Sequence, residues 1–340
     1  MQILVTGGAG YIGSHTVVEL LDAGYDVVIV DNFSNSKPEV LKNIRTITGR
    51  DFIFYEADVT DRQALGCIFQ ENRIEAVIHF AGYKAVGESV QEPLKYYHNN
   101  ILSTLVLCET MAANNCRRIV FSSSATVYGD PARVPISEDF PLSATNPYGR
   151  TKLINEEMLR DLYRSDPRWS IALLRYFNPA GAHQSGLIGE DPNGIPNNLM
   201  PYITRVAKGD LACLNVFGND YPTKDGTGIR DYIHVVDLSK GHLKALGKIS
   251  GAEGVYTYNL GTGRGYSVLE MVFAFERITG QKVPYRIAPR RPGDIAACYA
   301  DPAKAQKELG WSAELGIEEM CADAWRYSSK DCKGTFPMIR

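Results

Sequence analysis

The sequence has no long apolar run, no paired cysteines and almost no net charge, and each absence excludes something. A membrane-spanning helix needs about 20 consecutive apolar residues, and no run approaches that, so no membrane partner is expected. No basic segment followed by an apolar core opens the chain. Met1 leads straight into the apolar stretch Gln2–Thr6, so no targeting peptide is expected, and the expected location is the cytoplasm. The seven cysteines, Cys67, Cys108, Cys116, Cys213, Cys298, Cys321 and Cys332, are scattered and odd in number, with no C-x-x-C pair. Structural zinc needs closely spaced ligands, so no metal is expected, and free thiols fit a reducing compartment. A net charge of -3 supplies no overall field for nucleic acid or an anionic surface.

What is there is a chain of 340 residues, 44% hydrophobic and 22% charged, long enough for two domains or for one large α/β domain with a lobe. Its first half alternates short apolar stretches with amphipathic ones. Strands are expected at Gln2–Thr6, Asp26–Asp31, Phe52–Ala57, Ala76–Phe80, Arg118–Ser122 and Ser170–Arg175. Helices are expected at Tyr11–Ala23, at Ala64–Asn72, through Leu94, Tyr97, Ile101, Leu105 and Cys108, and at Pro147–Arg164, which opens on proline. Strands this rich in β-branched residues, separated by helices, imply an α/β fold with a Rossmann-type doubly wound parallel sheet. After about Asn178 glycine, proline, asparagine and aspartate become dense, which marks functional loops. The expected division is a nucleotide-binding domain over 1–178 and a smaller α/β substrate lobe over 179–340. Tyr256–Leu260 resembles a strand that returns to the main sheet, so segments within about 230–262 are expected to rejoin the first domain.

Two motifs carry chemistry. Thr6–Gly13 reads TGGAGYIG at a strand end that opens a helix. Glycines there allow a tight turn and close approach of a pyrophosphate to the backbone, and the helix N-terminus offers free N–H groups. Alone the match is weak; the strand and helix on either side give it weight. Asp31 ends the second strand, where a carboxylate accepts hydrogen bonds from an adenosine ribose and repels a 2′-phosphate, so the expected cofactor is NAD. Asp58 ends the third strand beside Val59, within reach of an adenine. The second motif is Tyr148-x-x-x-Lys152, which puts both side chains on one helical face, with Ser122, Ser123 and Ser124 at a strand end upstream. A lysine ammonium near a phenol favours the phenolate. Bringing a tyrosine from about 10 towards neutrality takes roughly 4 kcal/mol, to which a nicotinamide positive charge would add. Such a tyrosine becomes a general base.

With these motifs the chain resembles the extended short-chain dehydrogenase/reductases, and within them the UDP-galactose 4-epimerases. The resemblance covers nearly the whole chain and rests on VTGGAGYIGSH, HFAGYKAVGESV, FSSSATVYGD, NPYGRTK, LLRYFNPAGAH, GIPNNLMPY, FGNDYPTKDGTGIRDYIHV and APRRPGD. It implies that Tyr148 is the catalytic base, Lys152 its activator and a ribose ligand, and Ser124 the bridging hydroxyl. It implies a pyrophosphate turn at Gly7, Gly10, Tyr11, Ile12 and Gly13. The adenosine ribose falls to Asp31, Asn32, Asn35 and Ser36, and the adenine to Asp58 and Val59. Phe80, Ala81, Lys84, Asn99 and Tyr176 surround the nicotinamide half. Asn178, Asn198, Leu199, Phe217, Arg230, Arg291 and Asp294 hold the UDP-sugar, and the two arginines suit a diphosphate. The implied reaction is reversible epimerisation at C4 of UDP-glucose and UDP-galactose through a 4-keto sugar, with NAD held throughout, in a homodimer. Cys298, four residues past Asp294, stands where family members with a small residue also take N-acetylated sugars, so UDP-GlcNAc and UDP-GalNAc are further candidate substrates. Ala125 and Thr126 replace the acidic pair that a sugar-nucleotide dehydratase needs. A non-enzymatic NAD sensor on the same fold would typically lack the tyrosine or the lysine, and both are here.

Overall fold

The computed structural model describes residues 1–194, 196–291 and 294–330. Cys332, Ile195 of GIPNNLMPY, and Pro292 and Gly293 of APRRPGD lie outside the described residues. The first half runs β1 (Gln2–Thr6), α1 (Tyr11–Asp22), β2 (Asp26–Asp31), α2 (Glu39–Thr48), β3 (Ile53–Glu56), α3 (Arg62–Glu71), β4 (Ile74–His79), α4 (Val86–Gln91), α5 (Pro93–Ala113), β5 (Arg118–Ser124), α6 (Pro147–Ser165) and β6 (Ser170–Tyr176). The second runs β7 (Asn178–Ala180), α7 (Leu199–Lys208), β8 (Leu214–Phe217), β9 (Ile229–His234), α8 (Val235–Gly251), β10 (Gly254–Leu260), β11 (Gly265–Ser267), α9 (Val268–Thr279), β12 (Tyr285–Ala288), β13 (Ala297–Cys298), α10 (Ala303–Leu309) and α11 (Ile317–Ser328). Among the described residues no helix is long and apolar enough to cross a membrane.

Seven strands form one parallel sheet in the order β10-β6-β5-β4-β1-β2-β3. Alternation along each strand sends side chains to both faces, and both faces are covered. Ile3, Val5 and Ile29 pack with Val17 and Leu20 of α1 and Leu238 and Leu246 of α8. Leu4, Val28 and Val77 pack with Leu107 and Met111 of α5 and Leu159 of α6. The order reverses between β1 and β4, which opens a crevice at the carboxyl ends of the strands. In the second half, β9 pairs with β7 and β13 in parallel and with β11 antiparallel, while β8 and β12 form a parallel pair. Met200, Ile203, Val216, Met271, Phe275 and Met320 make a separate core there.

Two helices of the first half had no expectation from the sequence. α2 buries only Leu41 and Ile44, a narrow stripe in a charged segment. α4 has six residues and buries only Ser89. β5 also runs two residues further than its apolar stretch, through Ser123 and Ser124, because pairing with Arg175 and Tyr176 of β6 keeps these polar residues in the ladder.

Candidate active site

The glycine turn follows β1. Gly7 has φ +69°, and a Cβ there would stand 2.9 Å from the Ala81 nitrogen; a Cβ on Gly13 would stand 2.2 Å from the Gly7 oxygen. Only glycine fits both places. Gly10 caps α1 without a side-chain hydrogen bond, so the N–H groups of the first turn, at Tyr11, Ile12 and Gly13, face the crevice with the positive end of the helix. Tyr11 anchors the turn to the lobe through its hydroxyl, which donates to the Gly181 carbonyl at 2.8 Å. Asp31 accepts from Ala9 N–H at 3.0 Å, Phe33 N–H at 2.9 Å and the Ser36 hydroxyl at 2.8 Å. The Asn32 amide donates to Asp58 at 2.9 Å, and Val59 is buried beside them. Asn35 accepts from Asn193 N–H at 3.2 Å. This cradle of glycines, an open helix N-terminus and a carboxylate at the next strand end fits a dinucleotide.

Phe80 and Ala81 continue β4, with Phe80 N–H on the Thr6 carbonyl at 3.0 Å and Ala81 N–H on the Thr6 hydroxyl at 3.3 Å. Asn99 is half-buried and donates to Asn100 at 3.0 Å, and Asn100 donates in turn to Thr151 in a buried polar seam between α5 and α6. Tyr176 ends β6, its hydroxyl bonded to that of Ser122.

Asn146 caps α6 by accepting from Gly149 N–H at 2.8 Å, and Pro147 takes the first helical position, so Tyr148 sits in the first turn. Tyr148 and Lys152 are buried beside β5. Lys152 donates to the Ser122 carbonyl at 2.6 Å and lies 5.9 Å from the centre of the Tyr148 ring. Burial brings its ammonium down to about 8, still charged at neutral pH. The expected lysine-driven lowering of the Tyr148 phenol is not what this geometry gives. Burial pushes the phenol up from its ordinary value, and the Ser124 hydroxyl alone pulls it back. The reason is that Lys152 directs its hydrogen bond at the Ser122 carbonyl rather than at the phenol, so that desolvation of the phenolate outweighs the one hydroxyl that favours it. Ser124 also accepts from the Thr126 hydroxyl at 3.0 Å.

The lobe brings its own group together. Arg230 on β9 donates to Asp294 at 3.0 Å and to the Ile295 carbonyl at 2.9 Å. Arg291 reaches the other oxygen of Asp294 at 3.1 Å and lies 4.7 Å over the Phe217 ring. Asp294 thus holds two guanidinium groups side by side. Cys298 stands opposite Arg230 in the β13–β9 register and packs against the cluster of Ala125, Val127, Tyr128 and Phe177 that follows Ser124 and Tyr176. Burial pushes its thiol up to about 11. Asn178 starts β7, pairing with Tyr232, two residues from Arg230 on the same strand. Asn198 precedes α7, and Leu199 is its first residue.

Glu190 was not singled out from the sequence. Its carboxylate accepts from Lys84 at 2.8 Å and from Asn198 at 2.6 Å, joining one side chain of each half, while its second oxygen is buried without a partner. A carboxylate inside a run as polar as GEDPNG gives no pattern that separates it from a surface residue.

The chain matches the family model described as GDP-mannose 4,6 dehydratase over residues 4–324. It is 67% identical over 334 residues to a UDP-glucose 4-epimerase of Bacillus subtilis, covering 98% of each chain. It is 59% identical over 334 residues to one of Dictyostelium discoideum, covering 98% of this chain and 97% of that one. The structure superposes with TM-score 0.95 on that of UDP-glucose 4-epimerase from Bifidobacterium longum in complex with NAD+ and UDP, at 56% identity over 98% of this chain and 100% of the other. The family model's description names a sister reaction, whereas the relatives that match along nearly the whole chain are UDP-glucose 4-epimerases. On identity, coverage and fold together, the chain belongs to the UDP-glucose 4-epimerase family.

Proposed function

We propose that the protein is an NAD-dependent isomerase that interconverts UDP-glucose and UDP-galactose by epimerisation at C4 through a 4-keto sugar. One observation carries the reading: buried Tyr148 and Lys152 meet the end of β5 at Ser124 and Ser122 respectively, and the Cys298 cluster ties that strand end to the arginine pair of the lobe. On this reading residues 1–178, rejoined within 230–262, hold NAD, and the lobe from residue 179 holds the UDP-sugar. Bound NAD supplies the acceptor, and then the donor, of the C4 hydride. The glycine turn and α1 hold its pyrophosphate, Asp31 its adenosine ribose, and Lys152 its second ribose. Tyr148, directly or through Ser124, takes the proton of the sugar 4-hydroxyl and later returns it. Arg230 and Arg291 anchor the diphosphate by charge-assisted hydrogen bonds. Firm anchoring there leaves the hexose free to turn its other face, because holding the nucleotide costs the sugar none of its rotation.

A second reading adds UDP-GlcNAc and UDP-GalNAc as substrates. It rests on Cys298, whose small side chain lies beside Arg230 at the inner edge of the lobe. The proposed assembly is a homodimer through α4, α5 and α6. A paired turnover assay without added NAD tests both substrate readings. Conversion of UDP-galactose supports the reaction and a retained cofactor, and conversion of UDP-GalNAc supports the broader range. No conversion of either sugar, even with NAD supplied, sinks the epimerase reading.

A further inference from the structure

Beneath the candidate active site lies a charged pair that the mechanism above does not use. Arg175 of β6 and Glu156 of α6 are both essentially fully buried. They form a two-pronged contact, Nε to Oε1 at 2.9 Å and Nη2 to Oε2 at 2.6 Å. Burying two opposite charges is often no gain over two apolar side chains of the same size, so stability alone gives no reason for this pair. Its connections suggest one. The Ser123 hydroxyl donates to the same Glu156 oxygen at 2.5 Å. Arg175 reaches the Tyr128 hydroxyl at 3.1 Å and the Glu138 carbonyl at 3.2 Å. Tyr128 in turn donates to Asn259 of β10 at 2.7 Å. Arg160 lies 3.7 Å from the second Glu156 oxygen.

One carboxylate therefore bolts α6 to the ends of β5 and β6. Glu156 follows Lys152 by four residues and Tyr148 by eight, so all three lie along one side of α6. Ser123 and Arg175 are the immediate neighbours of Ser124 and Tyr176 and point to the opposite face of the sheet from them. The bolt touches none of the proposed reacting atoms; it sets the spacing among the residues that do. We propose that the Glu156–Arg175 pair is a positioning device that fixes Tyr148 and Lys152 on α6 against Ser124 and Tyr176 on the strands. This rests on the epimerase reading above. Proton and hydride transfer are sensitive to misplacement of about 1 Å, which costs about 100-fold in rate.

The test replaces both charges at once, Glu156→Met with Arg175→Met, so that neither ion is left buried alone. The folded double variant is expected to keep the melting temperature and the NAD content of the wild type. Its kcat is expected to fall about 100-fold, with KM within about three-fold. A kcat within about three-fold of wild type in that folded variant overturns the proposal. If the double variant does not fold, Ser123→Ala removes one hydroxyl from the bolt. A drop in kcat of several-fold at unchanged KM then supports the proposal, and an unchanged kcat overturns it.

A measurement independent of turnover separates this inference from the epimerase reading. Should the wild type convert no UDP-sugar, that reading fails, and the phenolate absorbance of Tyr148, taken against Tyr148→Phe, still reports on position. The groups that face the phenol, Ser124, Lys152, Tyr96 and Tyr176, are present in every variant. Loss of the bolt is expected to move Ser124 away and raise the titration of Tyr148. An unmoved titration overturns the proposal.

Discussion

Tyr148 is held between burial, which favours the neutral phenol, and a single hydroxyl from Ser124, which favours the phenolate. Lys152 stands close enough to add a field but bonds elsewhere, to the Ser122 carbonyl. On the proposed reading, the positive charge of an oxidised nicotinamide would add to the pull of Ser124 towards the phenolate. Tyr148→Phe removes the acid–base group and leaves the glycine turn, Asp31 and Lys152 intact. Its kcat should fall by at least about 100-fold, while the NAD content after gel filtration stays at the wild-type level. Near-normal turnover in that variant would remove Tyr148 from the mechanism.

Among the elements, the segment between β7 and α7 reaches furthest. Leu187 accepts from Asn43 of α2 at 2.9 Å. Asp191 pairs with Lys37, and Asn193 bonds Asn35 and Ser34, each at 3.2 Å. Glu190 ties down Lys84 and Asn198, and Arg205 of α7 holds the Gly194 carbonyl at 2.6 Å. These contacts make the segment a strap from the lobe across to the loop after β2, where the proposed adenosine-ribose residues lie. Each exposed contact contributes only about 0–1 kcal/mol, but several broken together reach the roughly 1.4 kcal/mol that corresponds to ten-fold in a rate or an equilibrium. Asp191→Ala combined with Asn193→Ala should release NAD about ten-fold faster in a chase with labelled cofactor, with kcat at saturating NAD little changed. Wild-type release from the double variant would show that the strap does not retain the cofactor.

For the molecule as a whole, the parts legible in the sequence are those set by local pattern. β1 and β2 announce themselves as ILV and VVIV, and the glycine turn and Tyr148-x-x-x-Lys152 carry their own spacing. α2, Glu190 and the Glu156–Arg175 pair were not legible, because their meaning comes from partners distant in the chain. The same limit applies to assembly, since a helix stripe that faces a core and one that faces a second subunit look alike in sequence. The structure shows which apolar side chains the single chain leaves exposed. Leu94 is 81% exposed and Val90 62%, and Val86, Leu105 and Ile154 are also open to solvent, all on α4, α5 and α6, which pack against one another. Leu94 and Leu105 lie eleven residues apart, about three helical turns, and so share one side of α5. Single exposed apolar residues are ordinary, but a cluster on adjoining helices fits the proposed homodimer, in which a two-fold pairing would cover it with itself. The wild type should sediment with twice the mass of one chain. Leu94→Glu with Ile154→Glu puts like charges on both halves of that pairing and should give a single-chain mass, with the secondary structure unchanged by circular dichroism. A double variant that still sediments as a dimer would move the interface away from these helices, and a wild type that sediments as one chain would remove the dimer altogether.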